Sequence, residues 1–302
     1  IINNKKGDRA VEWSITKEHE GMMIRDYLIQ VKGFSRRIIK AVKFQGGSIL
    51  VNGEFCTVRY PLAEGDRLQV ILPPENRGAF MVPESLPLNI VYEDDDVLVI
   101  DKPAGIATIP SIHHTSGTIA NGILGYYEDN EVSYTVHIVT RLDRDTSGLL
   151  LVAKHRFSHS ILSKDQKQGL VNRSYYAIIE GTLAEKQGTI NAPIGRKDDS
   201  IIERMVRADG QQAITHYQVE KEVGSRSLVD VKLETGRTHQ IRVHFSSMGY
   251  PLVGDRMYGG KVDAIKRQAL HCKAIAFNHP ISKERLSFQS ALPDDMEKVI
   301  MV

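Results

Sequence analysis

What most constrains this chain is a series of short, β-branched apolar runs through its last two thirds that do not alternate regularly with helices. Leu149 to Val152, Tyr175 to Ile179, Ala213 to Val219 and Ser227 to Leu233 read as strands, and Ile90-Val91-Tyr92 and Val97 to Ile100 flank Glu93-Asp94-Asp95-Asp96 as the arms of a hairpin. Helical spacing is confined chiefly to Phe157 to Gln168 and Thr238 to Met248. A doubly wound parallel fold needs strands and helices in alternation, so the pattern predicts an α+β class: a mixed, mostly antiparallel sheet flanked by helices. That domain is placed at residues 89–302.

The beginning of the chain is different. From Lys32 to Lys43 there are five basic residues and no acidic one. Ser35 stands where an N-cap belongs, and Ile38, Ile39 and Val42 recur at helical spacing, which leaves Arg36, Arg37, Lys40 and Lys43 largely off the apolar stripe. Ile24, Tyr27, Leu28 and Val31 mark a partner helix. Ser48 to Val51 runs into the turn dipeptide Asn52-Gly53, and a further strand is read at Leu68 to Leu72. Residues 1–75 thus read as a small α+β module, and residues 76–88, with Pro83 and Pro87, as a linker. At 302 residues the chain has the length of about two domains. No apolar run reaches the ~18 residues that a membrane span needs, and Cys56 and Cys272 lack paired thiolate spacing, so a reducing cytoplasmic setting is expected.

Several chemistries are excluded by motif: there is no GxxxxGK[ST] loop, no GxGxxG after a strand and no HExxH pair. His239 and His244 are five apart and would point to different sides of a helix, while His113-His114 fall in a loop, so no metal site is expected. The densest polar cluster is Arg141-Leu142-Asp143-Arg144-Asp145-Thr146-Ser147-Gly148 between two apolar strands. A plain surface turn would explain it, but a carboxylate between arginines at strand ends also suits an anion presented to a cleft. In the second cluster, Thr235-Gly236-Arg237-Thr238-His239-Gln240-Ile241-Arg242, Thr238 is the expected helix cap. Ile241, Phe245 and Met248 form the expected buried stripe, with Arg242 and His239 off it. Arg173-Ser174-Tyr175-Tyr176 would send its two tyrosines to opposite faces of a strand.

Taken together and in this order, Arg141-Leu142-Asp143 with Thr146-Ser147-Gly148-Leu149, then Arg173 to Tyr175, then Thr235 to His244 resemble the RluA-class RNA pseudouridine synthases. Lys102-Pro103-Ala104-Gly105 resembles the family's early strand-to-loop segment, and residues 1–75 are similar to the S4 RNA-binding domain that often precedes this catalytic domain. Gly46-Gly47 and Gly21-Met22-Met23 depart from the usual S4 pattern, and Thr140 stands where the family usually has His.

The resemblance implies an isomerase that turns specific uridines of RNA, ribosomal RNA in particular, into pseudouridine. The reaction has no net redox change and loses no group, so no cofactor is expected. Asp143 is implied as the essential carboxylate, with Arg242 holding it charged and Tyr175 stacking on the uracil or taking part in proton transfer. Attack on the sugar, attack on the ring and proton abstraction all stay open for Asp143. Arg141, Arg237, Arg36, Arg37 and Lys40 are the candidate phosphate contacts, and a monomer suffices. Two alternatives from other classes are a non-catalytic RNA-binding or ribosome-assembly factor and a nucleoside hydrolase using the same carboxylate logic.

Overall fold

The computed structural model describes residues 10–75, 81–111, 115–132 and 135–301, so His113 and His114 and the start of the expected linker lie outside the described residues. The described residues fall into two compact units.

The first draws on Ile1–Pro87, Ile109–Ile138 and Val152–Lys164. Its sheet has the order β1-β4-β2-β3, from β1 (Ala10–Ser14), β2 (Ser48–Val51), β3 (Glu54–Phe55) and β4 (Arg67–Ile71). Between β2 and β3 the expected turn forms, with Asn52 and Gly53 at φ 52° and 87°. The partner helix starts as α1 (Ile24–Asp26) and continues as a π-turn over Tyr27–Val31. Next comes α2 (Arg36–Phe44), capped as expected by Ser35, whose hydroxyl accepts the Ile38 N–H at 3.2 Å. Ile38, Ile39, Ala41 and Val42 are buried, and Arg36, Arg37, Lys40 and Lys43 are exposed.

The described part of the proline-rich stretch is pinned against α3 (Ile119–Asp129). Glu84 N–H donates to Asn121 O at 3.0 Å, and the Asn121 amide donates to Val82 O at 2.8 Å. This helix carried no amphipathic signal because Ile119 to Gly125 are all buried. β7 (His137–Ile138) and most of α4 (Arg156–Lys167) complete the unit.

The second unit, Leu88–Thr108, Val139–Leu151 and Asp165–Val302, holds the large sheet. The strands are β5 (Ile90–Glu93), β6 (Val97–Lys102), β8 (Ser147–Ala153), β9 (Asn172–Glu180), β10 (Gln187–Asn191), β13 (Ile214–Val223), β14 (Arg226–Leu233) and β15 (Leu270–Asn278), in the order β10-β13-β14-β9-β15-β8-β6-β5. β16 (Arg285–Gln289) is added on β15, and β11 (Ile194–Arg196) and β12 (Arg204–Val206) form a separate hairpin. The pairing is mixed and mostly antiparallel, as expected; β15 runs parallel to β8. Gly148 makes that close parallel approach possible: its φ is +107°, and a Cβ there would stand 2.3 Å from the Cys272 carbonyl oxygen.

α5 (Gln240–Ser247) follows β14, and α6 (Asp294–Met301) closes the unit. From α6, Met296, Val299 and Ile300 pack with Ile178, Val253, Ile265 and Ala269. The centre of the sheet brings three segments together: the loop before β8, the start of β9, and the turn from β14 into α5.

Candidate active site

The loop before β8 is fixed from beneath. Lys102, at the end of β6, is fully buried, and its ammonium donates to the carbonyls of Pro103, Ile106 and Arg144 at 2.8, 2.8 and 2.9 Å. Three bonds use every hydrogen of an ammonium, so a single cation ties two loops together. The Thr108 hydroxyl donates to Leu142 O at 2.7 Å, and Thr146 N–H bonds Asp143 O at 3.1 Å. Thr140, in the position where the resemblance leads one to expect His, is buried and accepts the Leu151 N–H at 2.9 Å. The local bond at that position is therefore made by a hydroxyl.

The turn into α5 departs from the sequence expectation. Thr238 is not the cap. His239 occupies the N-cap in the left-handed region at φ 58°, and the Gln240 side chain organises the turn. Its oxygen accepts from the Thr235 hydroxyl at 2.8 Å and the Arg237 N–H at 2.9 Å, while its amide donates to Ile214 O and Thr215 Oγ1. The expected stripe is also corrected. Met248 is 37% exposed, and Arg242, expected off the core face, is 5% exposed.

Arg242 is buried because it is clamped. Its Nε and Nη2 donate to Asp255 Oδ2 and Oδ1 at 2.7 and 2.9 Å, and its Nη1 donates to Asp143 Oδ2 at 2.9 Å. Burial works against the guanidinium charge, but the two carboxylates outweigh it and push its proton affinity above the usual arginine value. The side chain of Asp255 is 1% exposed and that of Asp143 28%, so Asp255 serves as a buried anchor while Asp143 faces the opening. A bidentate clamp on one edge of a planar fork aims its remaining edge.

Asp143, Arg242, Tyr175, Arg173, His239 and Leu233 line one cavity. Tyr175, on β9, is 4% exposed, and burial raises its hydroxyl far above the ordinary phenol range, so it is present as a proton donor. Tyr176 faces the other way, toward the α6 cluster, with the Lys273 ammonium 4.1 Å from its ring centre. Neighbouring Cys272 is fully buried and pushed up to about 12 by burial, which keeps it a neutral thiol. The Nε of Arg173 is buried and has no hydrogen-bond partner among the described residues.

Arg141 and Arg237 are exposed at the rim. Together with Gly236 they also line an adjoining groove of about 460 Å³, walled by Arg196, Arg204 and Gln211. The third basic group, Arg36, Arg37 and Lys40, belongs to the first unit and does not line the cavity.

Sequence reasoning missed Asp255, Tyr258 and the position of His239. Asp255 carries no local motif; its only sequence signal is indirect, since an arginine within an all-buried helix face requires a carboxylate somewhere. His244 is a core histidine, with Nδ1 2.9 Å from Thr215 Oγ1 and Nε2 2.9 Å from Ala192 O. Among the described residues, Asp94, Asp96 and His279 lie close enough to suggest a cation site. His279 Nδ1, however, accepts the N–H groups of Ile281 and Ser282 at 3.3 and 3.0 Å, so the ring hydrogen sits on Nε2. That atom lies 3.1 Å from Asp94 Oδ2 without hydrogen-bond geometry, and a ring nitrogen that carries its hydrogen offers no lone pair to a cation.

Comparison with known proteins adds an independent line. Residues 96–247 match the RNA pseudouridylate synthase family. The chain is 51% identical over 279 residues to the uncharacterized RNA pseudouridine synthase YjbO of Bacillus subtilis, covering 92% of this chain and 98% of that one. It is 36% identical to ribosomal large subunit pseudouridine synthase D of Xanthomonas campestris, with 88% and 84% covered. Among solved structures, human RNA pseudouridylate synthase domain containing 1 superposes with a TM-score of 0.56 at 25% identity, covering 72% of this chain and 86% of that one. No described helix is long and apolar enough to cross a membrane.

Proposed function

The chain belongs to the RNA pseudouridylate synthase family, and from that premise we propose that it isomerises specific uridines of large-subunit ribosomal RNA to pseudouridine at Asp143. The name of the Xanthomonas relative supports the choice of RNA. The observation that carries the reading is the carboxylate of Asp143, held at 2.9 Å by an arginine that a buried second carboxylate locks in place, on the wall of a cavity shared with Tyr175.

In the reaction the C1′–N1 bond breaks, the base turns, a C1′–C5 bond forms, the C5 proton leaves and N1 gains a proton. Electrons balance within the nucleotide. Asp143 Oδ2 is committed to Arg242, so Oδ1 is the oxygen that meets the nucleotide. An ionised carboxylate serves an electron-poor sugar carbon as nucleophile or stabiliser and also serves as base for the C5 proton. Tyr175 supplies a flat apolar face for the ring and a hydroxyl that keeps its proton.

The target base leaves its stack before it enters the cavity, at a cost of a few kcal/mol. Arg141, Arg196 and Arg237, which form no ion pair with a described carboxylate, supply compensating phosphate contacts along the adjoining groove. Residues 1–75 act as an S4-like RNA-binding module through Arg36, Arg37 and Lys40. The protein works as a cytoplasmic monomer.

The test is release of tritium from RNA labelled at uridine C5 by the parent and by Asp143→Asn. Release by the parent alone is expected. Equal release by both removes Asp143 from the chemistry, and free uracil as product identifies a hydrolase. A map of pseudouridines in cellular RNA with and without the protein identifies the target.

A further inference from the structure

His239 has no part in the chemistry above, yet its side chain is only 11% exposed on the wall of the same cavity, with its backbone in the left-handed region that few non-glycine residues occupy. Its Nδ1 lies 2.8 Å from the Tyr258 hydroxyl oxygen, and that oxygen already accepts the Arg204 N–H at 2.9 Å. A phenol has one proton. With an N–H arriving from Arg204, the hydroxyl is satisfied in both roles when it donates to Nδ1, and the ring hydrogen then sits on Nε2. Burial and the nearby Arg242 lower the proton affinity of the imidazole, and Asp143 opposes them without reversing the direction, so the ring is neutral.

Nε2 is 3.8 Å from Asp143 Oδ2, too far for a hydrogen bond, and that oxygen is already held by Arg242. Among the described residues, no acceptor lies within reach of the Nε2–H. A fixed donor therefore points into the space beside Asp143. Uracil brings carbonyl oxygens to that space, and they take up negative charge when the C1′–N1 electron pair passes to the ring.

We propose that His239 contacts the target base and donates its Nε2–H to a uracil carbonyl oxygen, binding the ring and stabilising its charge while it is detached from C1′. The proposal rests on the pseudouridylation reading. The imidazole keeps its proton throughout: the C5 proton leaves to Asp143 or water, and N1 is protonated from solvent. If the oxygen is O4, the amino group of cytosine would meet a donor, and the same bond also excludes that base.

The test is single-turnover pseudouridine formation on RNA whose target is uridine, 2-thiouridine or 4-thiouridine, because sulfur is the weaker acceptor. The parent enzyme should slow on one thio substrate. His239→Ala should fall about a hundredfold on uridine, the usual effect of removing one charge-stabilising donor, and show no further decrease on that thio substrate. The proposal is overturned by a parent indifferent to both sulfur substitutions, by a variant with the parent's oxygen-to-sulfur ratios, or by a variant with full rate on uridine. If circular dichroism shows His239→Ala to be unfolded, Tyr258→Phe decides. Removing the hydroxyl that fixes the tautomer should shrink the oxygen-to-sulfur ratio, and an unchanged ratio refutes the assignment. A parent that makes no pseudouridine from uridine RNA at all refutes the underlying reading instead.

Discussion

Asp255→Asn and Asp143→Asn remove the same charge from opposite edges of one guanidinium, and they should have opposite phenotypes. Asp255 meets Arg242 at 2.7 and 2.9 Å with side chains 1% and 6% exposed. An amide there offers one acceptor and turns its NH₂ toward an N–H. Breaking one partner of a buried pair destabilises by about 3 to 5 kcal/mol, a large share of the 5 to 15 kcal/mol typical of folded domains. Asp143 makes one bond to the same group at 2.9 Å and its side chain is 28% exposed, so solvent takes over much of its role. Its replacement should change stability by about 1 kcal/mol or less.

Urea unfolding followed by circular dichroism reads the difference. At an m-value of about 3 kcal/mol/M, Asp255→Asn should lower the midpoint by about 1 M or more, and Asp143→Asn by a few tenths. Tritium release should be abolished by Asp143→Asn. Asp255→Asn should retain a residual rate about a hundredfold down, because a carboxylate displaced by ~1 Å still reacts. Equal destabilisation of the two variants, or an Asp255→Asn midpoint within 0.2 M of the parent by this ~3 kcal/mol/M scale, would refute the anchor assignment.

Three further outcomes are expected. Burial lowers the Lys102 ammonium to about 8, against the pull of Asp145 and Asp143, so the charged form that serves all three carbonyls is full below that pH and gone above it. Rate should therefore decline as pH rises through about 8, and this limb should be missing from the pH profile of Lys102→Met; its persistence there assigns the titration elsewhere. Gly148→Ala places a Cβ 2.3 Å from a backbone oxygen at φ +107°, and with strain of about 1 to 3 kcal/mol before the clash is counted, thermal unfolding should shift down clearly. An unshifted midpoint contradicts the close approach of β8 and β15. Replacing Arg36, Arg37 and Lys40 together by Ala should flatten the dependence of RNA affinity on salt, by roughly 0.7 to 0.9 in the log–log slope for each phosphate that the variant no longer neutralises. An unaltered slope removes α2 from the RNA interface.

Sequence by itself determined the parts of this protein whose signals are local. Strand runs, the Asn52-Gly53 turn and the Ser35 cap depend on neighbours a few residues away, and all formed where expected. The same holds for the polar cluster around Asp143, because a loop between two apolar strands has few places to go. Tertiary structure decided which side chains surround that carboxylate. Arg242 bonds Asp143 across 99 positions in the chain and Asp255 across 13, and periodicity, which treats an arginine as a surface residue, placed it off the core. His239 became a wall of the cavity only because Gln240 took over the capping of the turn and Tyr258 arrived from a later segment. Burying a charge is unfavourable unless partners meet it, and whether they meet is a property of the packed chain, which no window of neighbouring residues contains.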